Sequence, residues 1–200
     1  MAEQRSLFAR TPSLPDGLVY RLDFLTIDEE RALLVEIGRL PLVGARYKAF
    51  TAKRRILGYG TGYDFDHNDL VAAPPVPPFL LALRERAAPV AGLPAARFSQ
   101  ALVAEYRAGT TLGWHRDAPP FGTVVGISLA ANCRLRFRPY PPKPGRAMDG
   151  FELRLEPRSI YVLRDDARWR WQHHVPSTKA LRYSITFRTL RADSSGGGTP

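Results

Sequence analysis

The sequence predicts an α+β fold, mainly β: an antiparallel sandwich or jelly roll with two helices ahead of it. Three observations carry this. From about Phe98 onward, short runs alternate apolar and polar residues with period two, as strands with one buried face do. Turn-forming segments, above all PYPPKPGRAMDG, separate those runs. Ahead of residue 96, two segments follow helical periodicity instead.

The elements follow in chain order. Residues 1–16 are polar and punctuated by proline, and read as an N-terminal arm. Thr26 followed by Glu29 forms a capping box, and Leu33, Leu34, Ile37 and Leu40 then fall on one helix side. Residues 43–65 interleave Arg46, Lys48, Lys53, Arg54 and Arg55 with Tyr47, Phe50, Tyr59 and Tyr63, and Gly58, Gly60 and Gly62 make the end of the stretch bendable. The stiff AAPPVPP leads into a second helix, FLLALRERAA, with proline at its start. In the strand region, Leu102, Ala104 and Tyr106 alternate with Val103, Glu105 and Arg107. Likewise Cys133, Leu135 and Phe137 face one way while Arg134, Arg136 and Arg138 face the other. The arginine row suits either a nucleic-acid strand or a solvated sheet face. FELRLE, SIYVL, ARWRWQHHV and LRYSITFRTL supply further strands, and residues 193–200 (DSSGGGTP) read as a flexible tail. The whole is one domain over 1–200, with its strand core at 96–192.

Composition narrows the function. Hydrophobic residues are 44% of the chain, enough for a buried core and incompatible with global disorder. Lys and Arg number 29 against 19 Asp and Glu, and the net charge of +10 favours an anionic partner, nucleic acid first. The single cysteine, Cys133, excludes an intrachain disulfide and an all-thiolate zinc site. No apolar run is long enough to cross a bilayer, and MAEQRSLFAR lacks a signal-peptide apolar stretch, so a cytoplasmic protein with no membrane contact is expected. A monomer is the default expectation.

Two segments suggest a metal. In an extended segment His115 and Asp117 point the same way and offer an imidazole and a carboxylate to one point, although such a pair alone is a common accident of surface sequence. In ARWRWQHHV, Ala167, Trp169, Trp171, His173 and Val175 form the apolar face and Arg168, Arg170, Gln172 and His174 the polar one, so His173 points inward and His174 outward. Two histidines and a carboxylate make a facial triad of the non-haem Fe(II) type; a catalytic zinc would accept the same ligands. A third segment discriminates between them. Arg182, Ser184, Thr186 and Arg188 share one face of RYSITFR, either as a solvated outer face or as an interior anion site. A dicarboxylate chelating the metal would give the arginines a role, whereas a zinc hydrolase gives them none.

The runs EYRAGTTLGWHRD, WQHHVP and RYSITFR resemble the AlkB family of Fe(II)- and 2-oxoglutarate-dependent dioxygenases, over about residues 45–190. The resemblance implies a double-stranded β-helix, a jelly roll with the N-terminal helices packed outside and a nucleotide-recognition lid at 43–65. It implies Fe(II) on His115, Asp117 and His173, which are then the catalytic residues, with O2 as oxidant. It implies 2-oxoglutarate with its distal carboxylate on Arg182, helped by Tyr106, and Arg188 near the other carboxylate. Two positions depart from the family pattern: Ser184 and Ala104 stand where asparagine is frequent. Both departures remove hydrogen bonds to the co-substrate, and neither removes an iron ligand or a charge partner. In the lid, Arg54 and Arg55 are expected on phosphates, and Tyr59 and Tyr63 either on a base or packed between lid and barrel. The function implied is oxidative demethylation of N-alkylated bases in DNA or RNA, as in alkylation damage repair. Demethylation of protein side chains and a nucleic-acid-binding module with a vestigial iron site are the alternatives.

Overall fold

The computed structural model describes residues 14–47, 50–142 and 150–191. Most of the expected arm and the tail at 193–200 lie outside the described residues. Among the described residues no helix is long and apolar enough to cross a membrane.

The chain runs β1 (Leu18–Arg21), α1 (Ile27–Gly38), β2 (Val43–Tyr47), β3 (Phe50–Asp64), β4 (Asp69–Ala72), α2 (Pro78–Ala87), β5 (Phe98–Tyr106), β6 (Leu112–His115), β7 (Phe121–Leu129), β8 (Cys133–Pro139), β9 (Phe151–Leu155), β10 (Ile160–Leu163), α3 (Asp165–Trp169), β11 (Trp171–Val175) and β12 (Arg182–Leu190). A large antiparallel sheet has the order β1-β10-β7-β12-β5-β3-β2, with β4 paired to β3. A small sheet, β6-β11-β8-β9, lies against it. This is the jelly-roll arrangement.

Two cores follow from strand parity. Residues of one parity, among them Val103, Ile127, Ile185 and Phe187, meet Ile37 of α1 and Leu80 and Leu83 of α2. Residues of the other parity, including Ala104, Tyr106, Leu135, Phe137 and Leu155, fill the space between the sheets. The capping box on α1 is present: Glu29 N–H donates to Thr26 Oγ1 at 3.2 Å and Thr26 N–H to Glu29 Oε2 at 2.7 Å. Glu30, buried on the same helix, binds Arg158 at 3.1 Å and accepts from Ala130 N–H at 2.9 Å, which ties the helix to the β7–β8 turn. Proline opens α2 and its apolar residues are buried, as its sequence dictates.

Two local expectations change. The segment 43–65 is ladder, not a free lid, through most of its length. β2 and β3 form a hairpin, and β3 pairs with β5 from Arg55 to Gly60. Its own alternation explains this: Ile56 packs between the sheets, while Leu57 and Tyr59 pack toward the helices. Only beyond Gly60 does it leave the sheet, in a hairpin with β4. Gly60 is needed for close approach: its φ is +75° and a Cβ would lie 2.2 Å from Ser99 O. The second change is at residues 165–169, which coil into α3. The period-two reading of ARWRWQHHV therefore holds only from Trp171, and Arg168, assigned to a polar face, is buried at 2% exposure.

Candidate metal and 2-oxoglutarate site

The site grows from one strand pairing. β6 and β11 run antiparallel, and their register sets His115 opposite His173. Cross-strand partners point to the same face, so the imidazoles meet with ring centroids 4.2 Å apart. Asp117 lies just past the end of β6, in the loop that leads to β7. Its carboxylate is 6% exposed, with Oδ2 3.7 Å from His173 Nε2. His174, of opposite parity, points outward and packs on Trp114.

Arg168 positions Asp117. Its Nε donates to Gly122 O at 3.0 Å, and its Nη2 lies 3.1, 3.0 and 2.7 Å from the carbonyls of Asp117, Ala118 and Phe121. A buried cation thus gathers the carbonyls of the loop that carries the aspartate. Arg188 holds the carboxylate itself, with Nε and Nη2 at 2.8 and 2.7 Å from Oδ1. The remaining Arg188 nitrogen donates to Gln100 Oε1 at 2.8 Å. The guanidinium expected beside a co-substrate carboxylate is therefore engaged by an aspartate and a glutamine.

Protonation follows from these contacts. Burial alone would raise the Asp117 carboxyl, but Arg188, with the two histidines behind it, outweighs burial and holds it well below the usual range. Burial drives His173 down to about 3, with His115 adding to the effect. Burial also lowers His115, against the pull of Asp117. Both imidazoles are thus neutral near pH 7, so the contact between His173 and Asp117 is no ion pair there. His115 Nδ1 lies 2.8 Å from Gly113 O, which assigns the proton to Nδ1 and the lone pair to Nε2.

Two neutral imidazoles and an ionised carboxylate oxygen are the donor set a ferrous ion takes. Among the described residues no group of three His, Cys, Asp or Glu side chains is drawn together closely enough to hold a metal ion. What is present is convergence: the donors line one cavity, with Asp117 Oδ1 committed to Arg188 and Oδ2 turned toward His173.

The rest of that cavity is built by β12 and β5. Arg182, Ser184, Thr186 and Arg188 line it, as their shared face requires, together with Leu102, Ala104 and Tyr106. Arg182 is 2% exposed, donates through Nε to Ser128 Oγ at 3.2 Å and lies over the Tyr106 ring at 5.0 Å. Among the described residues no carboxylate pairs with it. Ser184 and Ala104 are register partners and so lie side by side on the sheet.

The basic stretch divides by parity. Arg54 enters the cavity. It lies 3.4 Å from the Tyr106 hydroxyl, and its buried Nε has no hydrogen-bond partner. Arg55 points away, to Leu42 O and Glu105. Tyr59 is buried against the helix-side core, outside the cavity. Tyr63 stands in the β3–β4 hairpin, with its hydroxyl 3.4 Å from Asn68 Oδ1 and its ring edge-on to Phe65.

Sequence reasoning missed Arg168 and Tyr161. The Tyr161 phenol lines the cavity, and burial pushes its pKa up. SIYVL is buried on both faces, so alternation carried no signal there. On the outer face of the small sheet, Arg134 and Arg136 share Glu152, and Arg138 pairs with Gln172, as on a solvated face.

The model of the 2OG-Fe(II) oxygenase superfamily matches residues 44–188. An uncharacterized protein, L905, of Acanthamoeba polyphaga mimivirus is 27% identical over 183 residues, covering 84% of this chain and 82% of that protein. An Arabidopsis thaliana protein described as an alkylated DNA repair protein ALKBH8 homolog is 28% identical over 208 residues, covering 88% of this chain but 58% of its own length. In fold, the solved OsALKBH1 structure superposes with a TM-score of 0.62 at 17% identity, over 86% of this chain and 96% of that one. Fe(II), 2-oxoglutarate and O2 are the cofactor and co-substrates that such a family implies. By its sequence match and its fold, the chain belongs to the 2OG-Fe(II) oxygenase superfamily and is an AlkB-like, 2-oxoglutarate-dependent dioxygenase.

Proposed function

We propose that this enzyme oxidatively demethylates N-alkylated bases of nucleic acid, with iron on His115, Asp117 and His173 and the distal carboxylate of 2-oxoglutarate on Arg182. The observation that carries the co-substrate assignment is the buried Arg182, on the same cavity as the three donors and without a carboxylate partner among the described residues. An unpaired buried cation is costly, and a ligand carboxylate removes that cost. Arg54, with its unpartnered Nε beside the same tyrosine, adds positive charge at that end, so its partner is the co-substrate and not a phosphate.

When bound together, Fe(II), 2-oxoglutarate and O2 supply the two-electron oxidation of a methyl C–H bond. The chain's residues do the positioning. Arg188 keeps Asp117 ionised and fixes which oxygen faces the histidines. Gly113 O fixes the His115 tautomer. Tyr106, Leu102, Leu135 and Val175 line the cavity and restrict water around the reacting methyl group. The hydroxymethyl product then releases formaldehyde and leaves N–H on the base.

The net charge of +10 and the plant relative's description as an alkylated DNA repair protein support a nucleic-acid substrate. The test incubates iron-loaded protein and 2-oxoglutarate with N-methylated DNA, N-methylated RNA and a methyl-lysine peptide, reading succinate and formaldehyde. Formaldehyde from an oligonucleotide is the expected result. Release from the peptide alone would move the substrate to protein side chains, and no release from any of the three would favour a binding module.

A further inference from the structure

A second concavity, distinct from the catalytic one, is present among the described residues. A groove of about 530 Å³ lies on the opposite face of the large sheet, and its lining includes Arg97, Thr123, Arg164, Trp169, Thr189 and Arg191. Three arginines stand there against one acid, Asp165. Asp165 lies 3.6 Å from Arg164 Nε, too far for a hydrogen bond, and that buried Nε has no other partner. Arg97 and Arg191 are exposed. Arg191 lies over the Trp169 ring, 5.2 Å from its centroid, so a cation and an aromatic face share one wall.

The groove is joined to the catalytic centre through the backbone. Arg188 faces Asp117 on one side of β12, and the next residue, Thr189, lines the groove on the other. Arg191 N–H donates at 2.7 Å to Pro120 O, in the loop that follows Asp117. Trp169 adjoins Arg168, which holds that loop. The groove and the catalytic cavity therefore share the end of β12 and the loop that follows Asp117.

We infer that this groove binds the phosphodiester backbone of single-stranded nucleic acid beside the base held at the catalytic site. The inference rests on the nucleic-acid reading above and adds a second site to it. Guanidiniums suit phosphate oxygens, the Thr123 hydroxyl adds a polar contact, and the Trp169 ring, with Arg168 and Arg191 packed on it, holds the Arg191 cation at the groove wall. The basic charge, together with a position next to the catalytic cavity across β12, favours this occupant over an acidic peptide or an anionic lipid surface.

The test uses the full chain with a fluorescent single-stranded oligonucleotide and measures affinity against salt. The paired substitution Arg97→Glu/Arg191→Glu changes two groove charges, and Arg31→Glu/Arg39→Glu on α1 makes the same net change elsewhere. The groove pair is expected to weaken binding at least tenfold and to flatten the log–log salt slope by about 1.4, at ~0.7 per phosphate contact of a single strand. The α1 pair should change affinity less than threefold. Binding of 2-oxoglutarate, measured without nucleic acid, should be unchanged in both. Equal losses in the two pairs, or none in the groove pair, overturn the inference while leaving the catalytic reading intact. Absence of salt-dependent oligonucleotide binding by the unsubstituted protein overturns both. Loss of binding to anionic vesicles or to polyglutamate, with oligonucleotide affinity retained, would assign the groove to another partner and also overturn it.

Discussion

Replacing Arg168 by methionine tests how the metal-site aspartate is held. Arg168 presents three N–H groups, one on Nε and two on Nη2, to four carbonyl oxygens within 2.7–3.1 Å. Methionine roughly fills the volume and supplies no donor. Ala118 O keeps the Phe121 N–H at 3.0 Å, so three carbonyls lose their donor, which costs about 3–9 kcal/mol at ~1–3 kcal/mol each. Removing the guanidinium returns part of this, because its burial is itself unfavourable and drives its pKa down to about 10. That depression corresponds to about 3 kcal/mol. A net loss near 4 kcal/mol is expected, in the range of ~3–5 kcal/mol for breaking a buried ionic contact. For a chain of this size it lowers the thermal midpoint by about 8–16 °C. Iron affinity should fall by about 10–100-fold, since the loop carrying Asp117 loses its anchor. Calorimetry and iron titration of the variant measure both effects. A midpoint within about 2 °C of the unsubstituted protein, with iron affinity unchanged, would refute the assigned role.

Three further predictions follow from the same contacts. Asp117→Ala should abolish turnover and strip Arg188 of its carboxylate partner, and normal formaldehyde release from a verified iron-loaded sample would contradict the ligand assignment. Arg182→Gln should raise the dissociation constant for 2-oxoglutarate about 10–100-fold, from the loss of ~1.5–3 kcal/mol of charge-assisted bonding, and change iron binding far less. Equal loss of both would count against a carboxylate role. Metal-free protein should lose stability as pH falls below 6.5, because an unfolded histidine binds a proton near 6.5 whereas His173 resists until about 3. The unfolded state binds more protons in that window, so His173 alone removes about 2 kcal/mol between pH 6.5 and pH 5. Urea unfolding at pH 7 and pH 5 checks this, and equal stabilities would be inconsistent with two buried neutral imidazoles. Asp117, shifted below its usual range, contributes its own loss only at lower pH, below about 4.

Strand parity made much of the site legible. The shared face of Arg182, Ser184, Thr186 and Arg188 follows from period two, and so does the inward turn of His173 against the outward turn of His174. Parity fails where its premise fails. Residues 165–169 coil, so a strand rule put Arg168 in solvent when it is buried under the aspartate loop. Tyr161 sits on a strand apolar on both faces, where no alternation marks the cavity side. Composition marks 43–65 only as basic, whereas alternation within β3 separates Arg54, which enters the cavity, from Arg55, which leaves it. The pairing of Arg188 with Asp117 joins residues 71 positions apart and needed a structure.

The most direct measurement is anaerobic absorbance spectroscopy on purified protein, adding Fe(II) and then 2-oxoglutarate. A visible metal-to-cofactor charge-transfer band should appear only with both present, saturate at one equivalent, and be lost in Asp117→Ala. A folded, iron-binding protein that gives no such band at saturating 2-oxoglutarate would contradict the claim that these two histidines, the aspartate and Arg182 form one site.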